Sequence, residues 1–137
     1  MEDISLHILD IAENSIRANA KEINIMIIED RKNDLLMLTI EDDGEGMDEQ
    51  TKEHALNPFF TTKKGKRVGL GLAFLSQSAE EAGGVMKIES KPGKGTKVTA
   101  TFSLGHIDCK PLGNLYETVH CLTSTHPELN ITFNHIK

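Results

Sequence analysis

Four basic side chains and two glycines lie close together near the middle of the chain. The basic residues fall within 63–67, and Gly69 and Gly71 follow where a segment of helical periodicity begins. Glycine lets a ligand lie against main-chain N–H groups, and the first turn of a helix leaves such groups unpaired and favours negative charge. The stretch therefore predicts an anion site, with phosphate as the favoured ligand. The alternative is a surface loop whose lysines are only solvated, because short glycine motifs also arise by chance.

A second set of polar residues follows helical spacing near the N-terminus. Asp10, Asn14 and Arg17 lie at positions i, i+4 and i+7, so they form one polar line along a helix predicted over residues 4–19. Considered alone, such a line is also what the solvent-facing side of an ordinary helix carries.

The third set is an acidic turn that follows a predicted strand. Asp42, Gly44 and Gly46 form an Asp-x-Gly-x-Gly pattern. A carboxylate fixed beside a tight turn can accept a hydrogen bond from an amino group, and a plain solvated turn is the alternative. The segment lacks the oxygen-ligand spacing and the closing Glu of an EF-hand, which excludes that type of calcium site.

Hydrophobic periodicity predicts the remaining elements. In chain order they are strands over 22–29 and 35–42, a short helix over 48–56, a helix over 70–82, strands over 85–90 and 96–104, and a final helix and strand near 115–122 and 130–134. This order predicts an α/β (α+β) two-layer sandwich, with a mixed, mostly antiparallel sheet covered by helices on one face. We expect residues 1–104 to form the domain, and residues 105–137 to form a linker and a small helix–strand appendage.

Composition limits the classes of function. The 137 residues suit one domain, and the hydrophobic fraction of 38% and charged fraction of 26% are ordinary for a globular protein. A net charge of −6 argues against a general nucleic-acid or anionic-membrane binder. Two cysteines without a Cys-x-x-Cys pattern, no signal-peptide pattern and no apolar run of membrane-spanning length predict a cytoplasmic protein.

Taken in chain order, the motifs resemble the ATP-binding domain shared by sensor histidine kinases, gyrase-type ATPases, Hsp90 chaperones and MutL repair proteins. The order is the polar line over 10–17, the turn at 42–46, the basic loop and glycines over 57–71, and Gly93-x-Gly95-Thr96 before the last strand of the domain. The resemblance covers about residues 4–104. The segments Pro-Phe-Phe-Thr-Thr-Lys and Gly-Leu-Gly-Leu within the loop are most similar to sensor kinases.

The resemblance implies a role for each matched residue. Asn14 corresponds to the asparagine that coordinates Mg²⁺ at the ATP phosphates, and Arg17 to a basic residue that reaches those phosphates. Asp10 occupies the place of the catalytic carboxylate; hydrolysing members have Glu there, so the shorter Asp disfavours efficient hydrolysis. Asp42 corresponds to the aspartate that receives the adenine amino group. The other residues implied to contact ATP are Gly44, Gly46 and Met47 at the base, Thr62, Lys63, Lys64 and Arg67 in the lid, Gly69, Leu70, Gly71 and Leu72 at the helix start, and Thr96 at the adenine end.

The implied function is binding of Mg·ATP by a kinase of the histidine or serine type that phosphorylates or regulates a partner protein in trans. Sensor kinases carry their phosphoacceptor histidine on a helical hairpin ahead of this domain. Only three residues precede the first predicted helix, so we expect a free-standing domain, and His7 is expected to be a packing residue. A slow ATPase switch and an anti-sigma-like binding module without catalysis remain as alternatives. The histidines and cysteines of 106–126 lack the tight spacing of a zinc site.

Overall fold

A mixed, five-stranded sheet forms the centre of the fold, with its strands in the order β3-β4-β2-β1-β5. The structure is a computed structural model that describes residues 4–56, 70–105 and 115–136. Its elements are α1 (Ile4–Arg17), β1 (Glu22–Asp30), β2 (Leu35–Asp42), α2 (Glu49–Ala55), α3 (Leu70–Glu81), β3 (Met86–Lys91), β4 (Gly95–Ser103), α4 (Leu115–Thr125) and β5 (Asn130–Ile136). All strand pairs are antiparallel except β1 with β5. The expected α/β sandwich is confirmed.

The core lies between one face of the sheet and the helices. Alternate residues of β1, β2 and β4 point into it, because successive side chains of a strand face opposite sides of the sheet. Helices α1 and α3 contribute apolar side chains from one stripe each, at helical spacing. The principal core residues are Ile4, Ile8, Ile11, Ile23, Ile25, Ile27, Leu36, Leu38, Ile40, Leu75, Val98, Ala100 and Phe102.

Local backbone chemistry sets the ends of the helices that approach the site. Helix α1 ends at Arg17, two residues before the predicted end, because Asn19 adopts a left-handed conformation with φ of 62°. Helix α2 begins after Asp48, whose carboxylate accepts a hydrogen bond from Thr51 N at 2.7 Å. Helix α3 ends before Gly83, where φ is 80° and Gly84 N donates to Ala79 O. These are a side-chain cap and a glycine stop of ordinary type.

The C-terminal helix and strand join the same sheet. Strand β5 pairs in parallel with β1 from Asn130 to Ile136, and Leu115 of α4 belongs to the core cluster. The ring of Tyr116 in α4 meets that of Phe133 in β5 edge to face, with centroids 5.7 Å apart. The division of the chain at residue 104 stays a prediction, and residues 106–114 of the expected linker lie outside the described residues.

Candidate functional site

The carboxylate of Asp42 is held in one orientation at the end of β2. Its Oδ1 accepts a hydrogen bond from Gly44 N at 2.8 Å, and its Oδ2 accepts one from Ser15 Oγ at 2.6 Å. Ser15 is a buried residue of α1, so this second contact joins the helix to the turn. A carboxylate oxygen can accept more than one hydrogen bond, and each Asp42 oxygen therefore keeps capacity for a ligand.

Glycines let the turn after Asp42 pack against the β3–β4 turn. Gly46 has φ of 74°, and a Cβ placed on it would lie 2.0 Å from the carbonyl oxygen of Lys91. Gly95 has φ of 86°, and its Cβ would lie 2.1 Å from the carbonyl oxygen of Asp42. No side chain fits at such distances, and positive φ is strained for residues other than glycine. The two turns therefore touch through their backbones.

Two hydroxyl groups continue the polar end of the sheet beside Asp42. In the strand register Asp42 stands opposite Thr96, and Thr96 stands opposite Ser90. Ser90 Oγ accepts a hydrogen bond from Met47 N at 2.8 Å, donates to Gly95 O at 3.0 Å, and lies 2.8 Å from Thr96 Oγ1. The next row inward along the same face is apolar; it consists of Ile40, Val98 and Ile88. Polar groups therefore occupy only the open end of this face.

The polar line of α1 runs from the start of α3 towards Asp42. Asp10 and Arg17 are exposed and Asn14 is half-buried. A Cβ on Gly71 would lie 2.9 Å from Asp10 Cβ, so glycine permits the first turn of α3 to approach α1 closely. The Nδ2 atom of Asn14 is buried and finds no hydrogen-bond partner among the described residues. Such an unsatisfied amide is costly unless a ligand approaches it.

A cavity of about 410 Å³ opens beside the hydroxyl row. Asp42, Ser90 and Thr96 line it together with Lys52 of α2 and Lys94 of the β3–β4 turn. The side chain of Lys52 is only 22% exposed and forms an ion pair with Glu49 at 3.1 Å. Carboxylates and ammonium groups both border this cavity, which makes it suited to a polar ligand rather than an apolar one.

The neighbouring Asp43 serves the structure of the turn. Its Oδ1 accepts hydrogen bonds from Glu22 N at 2.9 Å and Lys21 N at 2.8 Å. These bonds favour the charged carboxylate, so they hold the pKa of Asp43 below its ordinary value of 3.8. Asp42 and Asp43 are therefore adjacent carboxylates with different tasks.

The structure brings together the predicted residues of α1, the Asp42–Met47 turn, the start of α3 and Thr96. Leu72 is buried in the core at 4% exposure, and only its backbone is available to a ligand. The predicted lid residues lie outside the described residues; they are Thr62, Lys63, Lys64, Arg67 and Gly69.

Sequence reasoning missed three residues that the structure places at this site: Ser15, Lys52 and Ser90. A signal existed for Ser90, which stands two positions beyond the inward-facing Ile88 on the same strand face. For Ser15 the position directly after Asn14 was the only indication. No signal singled out Lys52, whose role depends on where α2 packs.

Comparisons with known proteins bear on the family and the fold of this chain. A family model described as histidine kinase-, DNA gyrase B- and HSP90-like ATPase matches residues 2–106. The sensor protein kinase FleS of Pseudomonas aeruginosa is 36% identical over 111 residues, which cover 80% of this chain and 27% of that protein. The sensor protein DegM of a Bacillus species is 31% identical over 97 residues, or 71% of this chain and 26% of that protein. The chain thus spans about a quarter of the length of these relatives.

The fold is also similar to a solved structure. The ATPase domain of Aquifex aeolicus MutL, complexed with ADP, superposes with a TM-score of 0.57 and 18% sequence identity, over 98% of this chain and 60% of that one. None of the helices that the structure describes here has both the length and the apolar character needed to cross a membrane. Since the family model covers most of the chain, this protein belongs to the histidine kinase-, DNA gyrase B- and HSP90-like ATPase family.

Proposed function

We propose that the chain binds Mg·ATP with the base at Asp42 and the phosphates at the start of α3. The observation that supports this most is that α1 reaches both places. Ser15 hydrogen-bonds to Asp42 at 2.6 Å, and Asp10 packs against Gly71 at the start of α3. Asn14 stands next to Ser15 and about 6 Å along the helix axis from Asp10. Helix α1 can therefore contact a nucleotide along its length.

The base end would recognise an amino group. Asp42 offers two fixed acceptor oxygens, and Thr96 stands opposite it in the sheet. The backbone of Gly44, Gly46 and Met47 borders the same place, held by the bond from Met47 N to Ser90. A 6-aminopurine supplies the donor that such an arrangement lacks.

The phosphate end would use main-chain and basic groups. The first turn of α3, at Leu70, Gly71 and Leu72, presents unpaired N–H groups and the positive end of the helix dipole. Arg17 is exposed on the same line of α1 as Asn14. The lid residues Thr62, Lys63, Lys64 and Arg67 complete this end as a proposal from the sequence alone.

Asn14 is the residue that would hold magnesium. The buried Nδ2 atom of its amide has no hydrogen-bond partner among the described residues; as a donor it suits a phosphate oxygen, and the Oδ1 atom of the same amide is the one that would face the ion. Mg²⁺ accepts few protein ligands and keeps several waters, so one side-chain oxygen and phosphate oxygens suffice. When bound, the ion would neutralise phosphate charge and so assist phosphoryl transfer.

The reaction we propose is transfer of the γ-phosphoryl group to a partner protein in trans. The curated relatives above are sensor proteins by name, and this chain matches only a part of each. Asp10 would act as the carboxylate that takes a proton from the attacking group, since it lies beside the start of α3. Slow hydrolysis is the second candidate, because the same carboxylate could serve water when no partner is present.

Labelled ATP distinguishes these reactions. With γ-labelled Mg·ATP and a lysate of the source cells, retention of label on another polypeptide supports transfer, and free phosphate alone supports hydrolysis.

Asp10→Asn should abolish turnover while ATP binding, followed by calorimetry, stays within about threefold of the wild type. Glu13→Gln, a change of the same kind on the same helix, is the control. Undiminished turnover in Asp10→Asn would remove Asp10 from the mechanism, and no binding heat with millimolar Mg·ATP would contradict the proposed function.

A further inference from the structure

The hydroxyl groups of Ser90 and Thr96 form a small hydrogen-bond network in which the directions of their two protons depend on each other. Ser90 Oγ lies within hydrogen-bond distance of three groups: Met47 N, Gly95 O and Thr96 Oγ1. The Met47 amide can only donate and the Gly95 carbonyl can only accept. Ser90 has one proton, so its direction decides the direction of the Thr96 proton.

Only one assignment makes all three contacts hydrogen bonds. If Ser90 donates to Gly95 O, then Thr96 must donate to Ser90. If Ser90 donates to Thr96 instead, Ser90 Oγ and Gly95 O lie 3.0 Å apart with no proton between them. The first assignment contains one more hydrogen bond and is therefore favoured. Thr96 Oγ1 then has only lone pairs left for the cavity.

Asp42 and Thr96 consequently both present acceptors at this place in the cavity. Asp42 is a carboxylate, with Gly44 N and Ser15 Oγ as its donors, and Thr96 stands directly opposite it in the register. Two neighbouring acceptors attract an amino group, which has two N–H bonds, and repel a keto oxygen. We infer that Ser90 is a positioning residue that turns Thr96 into an acceptor and so makes the site selective for 6-amino over 6-keto purine nucleotides. This inference rests on the proposed nucleotide function.

The ratio of dissociation constants for inosine triphosphate and ATP measures this selectivity. The two nucleotides differ only at the six position and in the proton on N1. In the wild type we expect ATP to bind about 100-fold more tightly, because a site built to hydrogen-bond one group rejects an analogue that lacks it. Ser90→Ala releases the Thr96 proton towards the cavity, so the ratio should fall about tenfold. Ser90→Thr, which keeps the hydroxyl, should restore it.

The controls separate this effect from a general loosening of the site. Ser103→Ala removes a serine that donates to Asp34 at the other end of β4, and it should leave the ratio unchanged. Loosening would weaken both nucleotides equally and also leave the ratio unchanged. Because Ser90 is proposed to act through Thr96, the Ser90→Ala/Thr96→Val double variant should have the ratio of Thr96→Val alone.

The ratios measured for the variants distinguish failure of the inference from failure of the proposed function. A ratio in Ser90→Ala within twofold of the wild type overturns the inference while leaving the proposed function intact. If Ser90→Ala does not fold, Thr96→Val carries the test: a lowered ratio supports an acceptor at Thr96, and an unchanged ratio overturns it. Wild-type protein that binds neither nucleotide overturns the proposed function, and the inference with it.

Discussion

The two ends of the candidate site are built differently. At the Asp42 end, backbone meets backbone through Gly46 and Gly95, and each oxygen of the carboxylate already accepts a hydrogen bond from the protein. At the other end, the exposed Asp10 of α1 lies beside Gly71 in the first turn of α3, and the amide of Asn14 is incompletely satisfied by the described residues. Under the proposed function, the base end is therefore formed before a ligand arrives, whereas the phosphate end would be completed by the ligand and its metal ion. Substitutions at the two ends should have different consequences.

The largest effect should come from filling the backbone contact at the base end. In Gly46→Ala the new methyl group would have to occupy a point 2.0 Å from Lys91 O, at a positive φ. We expect a loss of about 3 kcal/mol in the free energy of unfolding, from steric overlap and backbone strain together, and loss of ATP binding. Gly93→Ala is a matched control: φ there is 78° with nothing within 4 Å, so only about 1 kcal/mol should be lost. Urea unfolding measures both, and equal losses would contradict a backbone contact.

Removal of the charge at Asp42 should affect ATP affinity more than stability. Asp42→Asn keeps an oxygen for Gly44 N but replaces one acceptor with a donor, so ATP should bind about 30-fold more weakly. Calorimetry measures the affinity. Asp43→Asn is the control, because Asp43 accepts its hydrogen bonds from Lys21 and Glu22 rather than facing the cavity. Equal weakening by both changes would show that the effect is a general one of charge.

At the phosphate end the expected effect is smaller and depends on magnesium. Asn14→Ala should weaken ATP binding about tenfold when Mg²⁺ is present and have little effect in the presence of a chelator, because the lost contact is to the ion. Glu13→Ala, at the neighbouring half-buried position of α1, should show no such dependence. Equal weakening of Asn14→Ala with and without Mg²⁺ would assign Asn14 to direct contact with the nucleotide instead.

The smallest effect should be on the pH dependence of stability. Hydrogen bonds from Glu22 N and Lys21 N lower the pKa of Asp43 in the folded state below 3.8. A lowered pKa stabilises the fold at pH values above the unfolded pKa, and this stabilisation is lost as the pH falls below about 4. Asp43→Asn should flatten the stability curve in that acid window, as followed by urea unfolding at several pH values. Glu53→Gln, at an exposed position of α2, should leave the slope as it is.

Local features of the site were predictable from the sequence, and contacts between distant segments were not. The β2 prediction, 35–42, matches the observed strand, because a mostly apolar run is followed directly by an acidic turn with glycines. The line of Asp10, Asn14 and Arg17 needed only helical spacing. The Ser15–Asp42 bond joins residues 27 apart and the Met47–Ser90 bond residues 43 apart. Such contacts depend on strand register and on how α1 packs, and local sequence patterns indicate neither of these.

The same limit applies to the C-terminal segment. A strand near 130–134 could be predicted from its apolar alternation, and the structure has it over Asn130–Ile136. Its pairing with β1 could not be predicted, since the other three strands lie between β1 and β5 in the sequence. The position of β5 depends on α4, whose Leu115 and Leu122 are buried.

The parallel pairing of β5 has a consequence for anyone who trims this protein to a minimal version. A version cut at Leu104 would leave the isoleucine-rich β1 as an exposed edge strand, because the N–H and C=O groups that now pair with β5 would lose their partners. Exposed edge strands of this kind pair with strands of other molecules. We therefore expect the truncated protein to aggregate rather than remain soluble.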